Sequence, residues 1–260
     1  MQKRILLKVS RMKTHYSDKL VIYMAEKILI ASGKGGVGKT SLTVGIGKAL
    51  AAMGNKVLLI DCDCLRSIDL LVGVTEKIVY DWGDVIKGAD SEDALYDAGD
   101  VSVLTCPEDY GDITEKDMKK LLDKYDVDFN YILIDAPAGV DRGLTLSAAA
   151  ADRAIVISTP DLVCVRSACI AARKISSMGI DDVRLIINRV ARRDVIRGRL
   201  LNIDSVIDGV EVQLIGVVPE DGKIRFGAMG MNIYKENQIS FDSLNNIAAR
   251  ITGEYVPLDL

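Results

Sequence analysis

The chain has 260 residues, of which 49% are apolar and only 5% aromatic, which suits one α/β domain with an aliphatic core. The 33 basic and 37 acidic residues nearly balance, so the net charge of −4 gives no global attraction to nucleic acid or anionic membrane. No run of about 18 apolar residues is present, which argues against a membrane-spanning helix. Five cysteines without a C-x-x-C pair favour reduced thiols in the cytoplasm.

Residues 1–23 form a basic segment. They contain six basic side chains and one acidic one, a net +5, which leaves −9 for the rest of the chain. We expect this segment to be a disordered extension that precedes one folded domain in residues 24–260. Two alternatives stay open. The natural start could be Met24, or the segment could be a tag for a membrane or a partner.

From residue 27 onward, short apolar runs alternate with longer segments of helical spacing. This alternation predicts a doubly wound, mostly parallel sheet with helices on both faces, an α/β fold. The predicted strands are 28–31, 56–61, 101–105, 131–135, 154–159, 183–188 and 212–218. The predicted helices are 41–53, 114–124, 161–177 and 241–252.

Residues 33–40, G-K-G-G-V-G-K-T, fit the phosphate-binding pattern G-x-x-x-x-G-K-S/T between a predicted strand and a predicted helix. Glycines let such a loop direct successive N–H groups at phosphates, beside the positive end of the helix dipole. We expect Lys39 to neutralise the β- and γ-phosphates and Thr40 to ligate Mg²⁺. The residues expected to contact the nucleotide here are Gly33, Lys34, Gly35, Gly36, Val37, Gly38, Lys39, Thr40 and Ser41.

Carboxylates follow two of the predicted strands. Asp61 and Asp63 stand at the end of strand 56–61, and Asp135 ends strand 131–135. Because the carboxyl ends of parallel strands face one crevice, these acids should lie beside the phosphate loop. An apolar strand that ends in one acid is the Walker B arrangement, which supports the magnesium. The alternating Asp and Cys of 61–64 could instead hold a metal, although no His or third cysteine lies nearby in sequence.

Lys34 is a second lysine inside the loop, and residues 34–40 match the signature of the deviant Walker A ATPases. With the carboxylates in the same order, the chain resembles the MinD branch of the MinD/ParA family from about residue 25 to 253. In that family the signature lysine reaches the partner subunit's nucleotide in an ATP-dependent dimer. The resemblance therefore implies a SIMIBI-like P-loop NTPase fold, ATP and Mg²⁺ as cofactors, and a homodimer in the ATP-bound state.

The resemblance also implies roles for the carboxylates. Segment 61–70 is similar to the first switch of MinD proteins, so Asp63 would position the attacking water and support the metal, with Asp61 as its structural companion. MinD proteins usually have a glycine before the leucine of this switch, whereas Cys64 leads directly into Leu65 here, so we expect a switch one residue shorter. The implied catalytic residues are Lys34, Lys39 and Asp63, and the implied metal ligands are Thr40, Asp63 and Asp135.

Two late segments indicate which base is bound. Asn188-Arg189 resembles the adenine-recognising N-R of the family and replaces the N-K-x-D of guanine-specific relatives. An Asn side chain can both donate to and accept from the adenine edge. Residues 219–221, P-E-D, are similar to a second base-contacting segment of MinD proteins, which implicates Pro219 and Asp221. ATP is therefore expected in preference to GTP.

The resemblance implies a slow ATP hydrolase, stimulated by an unidentified activating protein, that acts in spatial regulation such as division-site placement. A ParA-like DNA-partitioning ATPase is one alternative, but the dense basic stretch at 189–199 is small in a domain of net −9, so nucleic acid is not expected as a partner. A metabolic P-loop enzyme of the same superfamily is another. Iron–sulfur relatives need cysteine patterns that are not evident in this sequence.

The last residues bear on membrane contact. MinD proteins usually finish in a basic amphipathic helix that binds anionic membrane, whereas this sequence stops at V-P-L-D-L, residues 256–260. We expect a cytoplasmic protein, and peripheral contact with the inner face of the cell membrane stays open without that helix.

Overall fold

The structure is a computed structural model that describes residues 24–222 and 239–258, together with the backbone of residues 4–5 and 22–23. The short strands β1 (Arg4–Ile5) and β2 (Ile22–Tyr23) pair with each other in an antiparallel ladder. This pair forms a two-stranded sheet separate from the main one. The other residues of the basic segment lie outside the described residues, so its expected disorder stays a prediction.

An eight-stranded sheet forms the centre of the described domain. Its strands are β3 (Glu26–Ala31), β4 (Val57–Asp61), β5 (Tyr96–Asp97), β6 (Ser102–Leu104), β7 (Tyr131–Asp135), β8 (Arg153–Ser158), β9 (Val183–Val190) and β10 (Gln213–Pro219). They are arranged in the order β10-β9-β8-β3-β7-β4-β6-β5. Neighbours pair in parallel except β5 and β6, which are antiparallel. The predicted doubly wound, mostly parallel sheet is confirmed.

Helices cover both faces of this sheet. They are α1 (Lys39–Ala52), α2 (Ile68–Val72), α3 (Trp82–Lys87), α4 (Glu115–Tyr125), α5 (Arg142–Ala148), α6 (Leu162–Ser177), α7 (Arg192–Ile196), α8 (Ile203–Val210) and α9 (Phe241–Ile251). One buried apolar cluster joins the sheet to α1, α2 and α9. A second joins the opposite face to α3, α4, α5, α6 and α8. The core is therefore the two interfaces of a three-layer sandwich.

The central strands explain where the carboxylates lie. Every residue of β4 and β7 is buried, because helices cover both faces of these nearly continuous apolar runs. The two strands pair in register from Val57 with Tyr131 to Asp61 with Asp135. Both strands therefore place an acid at the same level at the carboxyl edge of the sheet.

Among the described residues, no helix combines the length and apolar character needed to span a bilayer.

Candidate functional site

The phosphate loop links β3 to α1, and its glycines are required by geometry. Gly36 and Gly38 have φ angles of 80° and 93°, in the left-handed region that side chains disfavour. A Cβ atom added at Gly33 would lie 1.9 Å from the carbonyl oxygen of Ser167 in α6, and one at Gly38 would lie 2.4 Å from Nδ2 of Asn188. The loop is thus packed between two elements that leave no room for side chains at these positions.

Asp135 is the centre of a buried polar cluster at the base of this loop. Its carboxylate is fully buried and lies 2.9 Å from Nζ of Lys39, whose side chain is 7% exposed. The hydroxyl of Thr40 donates to Oδ2 at 2.7 Å, and that of Thr43 donates to Oδ1 at 2.8 Å. Both oxygens of this carboxylate are therefore satisfied by the first turn and a half of α1. Ser41, the other predicted contact of this helix start, is half-buried.

Asp61 is the second buried acid of the site, next to Asp135 in the sheet. It accepts backbone N–H groups from Asp63 and Ser67, each at 2.8 Å, and from Ile68 at 3.0 Å. Burial, followed by the charge of Asp135, raises the pKa of Asp61 to about 6 in spite of these hydrogen bonds. Asp61 therefore anchors the backbone that follows it, in agreement with the structural role implied by the resemblance.

Asp63 lies in a tight turn rather than in the buried cluster. Its carbonyl accepts from the N–H of Arg66 at 2.9 Å, and its carboxylate accepts from the N–H of Leu65 at 3.1 Å. Arg66 closes the turn with a φ of 48°, a left-handed conformation that is uncommon for an arginine. The carboxylate of Asp63 is thus directed to its own loop.

The segment 61–66, here called the switch segment, packs on a wall formed by α3 and the loop after β6. The indole Nε1 of Trp82 donates to the carbonyl of Asp61 at 2.9 Å. The hydroxyl of Tyr110 donates to the carbonyl of Cys62. Trp82 and Tyr110 stack with ring centroids 6.2 Å apart, so the two donors support one another. Within the switch segment the side chain of Cys62 is buried, and this burial raises the pKa of its thiol.

Lys34 differs from Lys39, because it is exposed while Lys39 is buried. Its backbone carbonyl accepts from the hydroxyl of Ser32 at 3.0 Å, which fixes the loop but leaves the ammonium group at the surface. Asp161 precedes α6 near this lysine. Burial alone would raise the pKa of Asp161, but hydrogen bonds and the charge of Lys34 together lower it. The two lysines of the loop therefore face different surroundings.

The predicted base contacts lie at the ends of β9 and β10. Nδ2 of Asn188 donates to the carbonyl of Val37 in the loop at 2.7 Å, and Arg189 follows with a left-handed φ of 57°. Pro219 ends β10, and the buried carboxylate of Asp221 lies 3.2 Å from the hydroxyl of Ser240, which precedes α9. Asn188 is therefore joined to the loop, whereas Asp221 joins two elements of the fold. Base recognition by these residues stays a prediction.

The residues around Asp135 fit a magnesium-bound phosphate group. The glycine loop keeps its backbone free of side chains, with open space at Gly36, and the ammonium of Lys39 lies in the buried cluster beneath it. Thr40 and Asp135 offer adjacent oxygen atoms, 2.7 Å apart. Mg²⁺ usually takes one or two protein oxygens and completes its shell with phosphates and water, so a larger cluster is not needed. Among the described residues, no group of three or more His, Cys, Asp or Glu side chains could hold a metal by itself.

Sequence analysis missed two features of this site. Thr43, which donates to Asp135, could have been found, because it lies four residues after Lys39 and so on the same face of a helix. The contact between Cys106 and Cys64 could not have been found, because the two residues are 42 positions apart in the sequence. In the structure their sulfur atoms are 3.9 Å apart. Cys106 is thus a third cysteine near the alternative metal site at 61–64, but among the described residues no three or more His, Cys, Asp or Glu side chains are grouped so that they could hold a metal.

Comparison with known proteins places this geometry in a family. A model of the family described as "CobQ/CobB/MinD/ParA nucleotide binding domain" matches residues 28–233. The chain is 34% identical over 251 residues to the septum site-determining protein MinD of Bacillus subtilis. That alignment covers 91% of this chain and 92% of the relative.

Solved structures give the same result. The fold is similar to a chain of the MinC:MinD cell division protein complex of Aquifex aeolicus, with a TM-score of 0.83, 32% identity, and coverage of 91% of this chain and 99% of that one. It is also similar to the septum site-determining protein MinD complexed with Mg-ADP from Pyrococcus horikoshii, with a TM-score of 0.77, 26% identity, and coverage of 88% and 96%. These relatives favour the MinD interpretation over the DNA-partitioning and metabolic alternatives. The chain belongs to the MinD/ParA family of P-loop ATPases, and the relatives named here are MinD proteins of that family.

Proposed function

We propose that this protein is an ATP-driven dimerisation switch that acts in division-site placement. The observation that carries the proposal is the convergence of Lys39, Thr40 and Thr43 on Asp135 beneath a glycine loop whose other lysine, Lys34, stays exposed. One lysine is thus placed for the phosphates of its own subunit, and the other is free to meet a second subunit. This arrangement suits a nucleotide held between two protomers.

Hydrolysis would use the residues around Asp135 as follows. The ammonium group of Lys39 would leave Asp135 and bind the β- and γ-phosphates, which carry more negative charge than one carboxylate. Mg²⁺ held by Thr40 and Asp135, with support from Asp63, would offset the phosphate charge that develops in the reaction. Asp63 leaves the N–H of Leu65 and positions the attacking water, while Asp61 keeps the backbone of the turn fixed.

We further propose that hydrolysis is slow until a protein partner stimulates it. Asp63 is half-buried in a turn that bonds to itself, so its carboxylate must be redirected before it can position water. A partner that stabilises the redirected turn would raise the rate without adding a chemical group. The relative in the MinC:MinD complex has a protein partner, and we expect one for this chain. Relationship to septum site-determining proteins supports a place in the cytoplasm with peripheral membrane contact.

Asp63→Ala tests the proposed switch. The variant should bind ATP and dimerise like the wild type, because the loop and the Asp135 cluster are intact. Its hydrolysis rate should fall about a hundredfold, because the water is no longer positioned. Dimerisation is measured by light scattering with ATP, and hydrolysis by phosphate release. Lys34→Ala should instead bind ATP and remain monomeric.

The matched control is Asp123→Ala, which removes an exposed acid from α4. It should behave like the wild type in both measurements. Normal hydrolysis by Asp63→Ala would show that the role assigned to the switch segment is wrong. An ATP-dependent dimer of Lys34→Ala with wild-type affinity would remove Lys34 from the interface.

A further inference from the structure

Cys64 and Cys106 form a thiol pair beside the switch segment. They come from the turn after β4 and the loop after β6, 42 residues apart, and their sulfur atoms are separated by 3.9 Å. Cys106 is fully buried, whereas Cys64 is half-buried and so can be reached from solvent. One member of the pair is therefore accessible and the other is held behind it.

The backbone around both cysteines is already fixed. Nε of Arg66 donates to the carbonyl of Cys106 at 2.5 Å, and the same guanidinium pairs with Asp81 at 2.8 Å. On the other side of Cys64, Tyr110 donates to the carbonyl of Cys62. Cys64 thus lies between two noncovalent connections of the switch segment to its wall. These connections keep the two sulfur atoms close while both residues are thiols.

The other cysteines differ from Cys64 in exposure or position. Cys62 also lies near Cys106 but is 1% exposed, and Cys164 and Cys169 are both on α6. A disulfide requires an S–S distance of about 2.05 Å, so side-chain rotations that shorten the gap by about 2 Å would join Cys64 to Cys106.

We propose that Cys64 and Cys106 are a redox modification site, which a low-molecular-weight disulfide oxidises to an intramolecular disulfide. The sulfur of Cys64 attacks one sulfur of the small disulfide, and the first small thiol leaves with the Cys64 proton. The sulfur of Cys106 then attacks Cys64 in the mixed disulfide and releases the second small thiol, which takes the Cys106 proton. The two cysteines lose two electrons and two protons, and the small disulfide is reduced to two thiols.

Oxidation would lock the switch segment. Asp63 lies between Cys62, whose carbonyl is held by Tyr110, and Cys64, which would become covalently attached to the wall. The turn would then stay in the form in which the carboxylate of Asp63 accepts from Leu65. Because a functional group misplaced by about 1 Å can cost a hundredfold in rate, we expect ATP hydrolysis to fall between about tenfold and a hundredfold. This step rests on the proposed role of Asp63, whereas the disulfide itself does not.

The site is tested first on the native full-length chain. The protein is equilibrated with glutathione disulfide, free thiols are alkylated, and the digested peptides are mapped by mass spectrometry without reduction. A peptide pair joined through Cys64 and Cys106 is expected, and reductant should remove it. Cys169→Ser, the matched control with a half-buried cysteine on α6, should form the same link. A glutathione adduct on Cys64 with Cys106 still alkylated, or a link through another cysteine, would overturn the proposal.

The effect on hydrolysis is measured as the ratio of oxidised to reduced rate within each variant. Wild type and Cys169→Ser should lose about tenfold or more, and Cys64→Ala should give a ratio near one. A mapped link with an unchanged ratio would overturn the coupling to Asp63. A mapped link in a chain that does not hydrolyse ATP when reduced would contradict the proposed function and support the modification site. Thermal unfolding of the reduced variants establishes that each is folded before the ratios are compared.

Discussion

Two buried Lys–Asp pairs lie at opposite ends of the sheet, and they differ in what surrounds them. Lys39 and Asp135 meet at the carboxyl end, and Lys27 and Asp126 meet at the amino end. Both lysines are 7% exposed, and the acids are 0% and 2% exposed. Burial and charge are therefore nearly the same in the two pairs. Neither property by itself distinguishes a functional ion pair from a structural one.

The difference lies in the elements that carry the charges. Lys27 is within β3, its backbone N–H donates to Asp152, which precedes β8, at 3.1 Å, and Asp126 directly follows α4, so this pair joins a strand to the ends of two connecting loops. Lys39 follows a loop of glycines with left-handed backbone, so its neighbours can admit a ligand. A cavity also adjoins Lys27 and Asp126, so open space does not separate the two pairs either. The phosphate-binding sequence that leads into Lys39 is what marks its pair as the candidate site.

Lys39→Ala should have the largest effect in this comparison. It removes the cation that offsets the phosphate charge, so ATP binding should be lost. The fold should survive, because Thr40 and Thr43 still donate to both oxygens of Asp135. Equilibrium titration with ATP measures the first result, and circular dichroism the second. Wild-type affinity in the variant would contradict the assignment of the phosphate loop.

Lys27→Met should show the opposite pattern. It leaves Asp126 buried without its cation, which destabilises a protein by about 3–5 kcal/mol. ATP affinity of the folded variant should be unchanged, because Lys27 is at the far end of β3 from the loop. Urea unfolding measures the loss, and Lys119→Met, an exposed lysine of α4, is the control. A folded Lys27→Met chain without ATP binding would mean that the two ends of the sheet are coupled.

The strands and the phosphate loop could be predicted from sequence, and the contacts between distant segments could not. Continuous apolar runs place the predicted strands and helices within about two residues of the observed ones, because burial on both faces leaves a local signal. β5 has two residues, too few for such a signal. Lys27 and Asp126 are 99 residues apart, and periodicity carries no information on which loops meet at a sheet edge. The shorter switch stays a prediction, and the left-handed turn at Arg66 was not predicted.

Asp61 sharpens the comparison, because it is a buried acid that forms no ion pair with a described residue. Its pKa is about 6 in the folded chain against 3.8 for an ordinary aspartate, so the folded state binds the proton more tightly than the unfolded state between these values. Stability must then fall as the pH rises through this window, from about pH 4 to 6, by up to about 3 kcal/mol.

Asp61→Asn should remove this part of the pH dependence. Because Glu26 also has a pKa raised by burial, the quantity to compare is the difference between wild type and variant at each pH. Urea unfolding from pH 4 to 7, without nucleotide or magnesium, measures it. Parallel curves for the two proteins would show that the carboxylate is not raised by its surroundings. If the wild type instead gains stability relative to the variant as the pH rises, the expected upward shift of the Asp61 pKa is wrong.

Deletion of residues 1–23 should have the smallest effect. β1 and β2 pair with each other in a sheet separate from the eight-stranded one, and among the described residues the ion pairs of the amino end lie within 26–182. Folding, ATP binding and dimerisation should therefore match those of the full-length chain. A loss of more than about 2 kcal/mol in unfolding free energy would instead mean that apolar side chains of this segment are buried, because that is the energy of burying one or more of them.

A vesicle-binding assay separates the two alternatives for this segment. Its net charge of +5 would be attracted to anionic lipid within about a Debye length. If the segment is a membrane tag, the full-length chain should bind acidic vesicles more strongly than the truncated chain, and the difference should shrink at high salt. A full-length variant with Lys8, Arg11, Lys13 and Lys19 changed to Ser is the control, because it keeps the length and lowers the net charge of the segment from +5 to +1. Equal binding by all three chains, with and without ATP, would contradict a membrane tag.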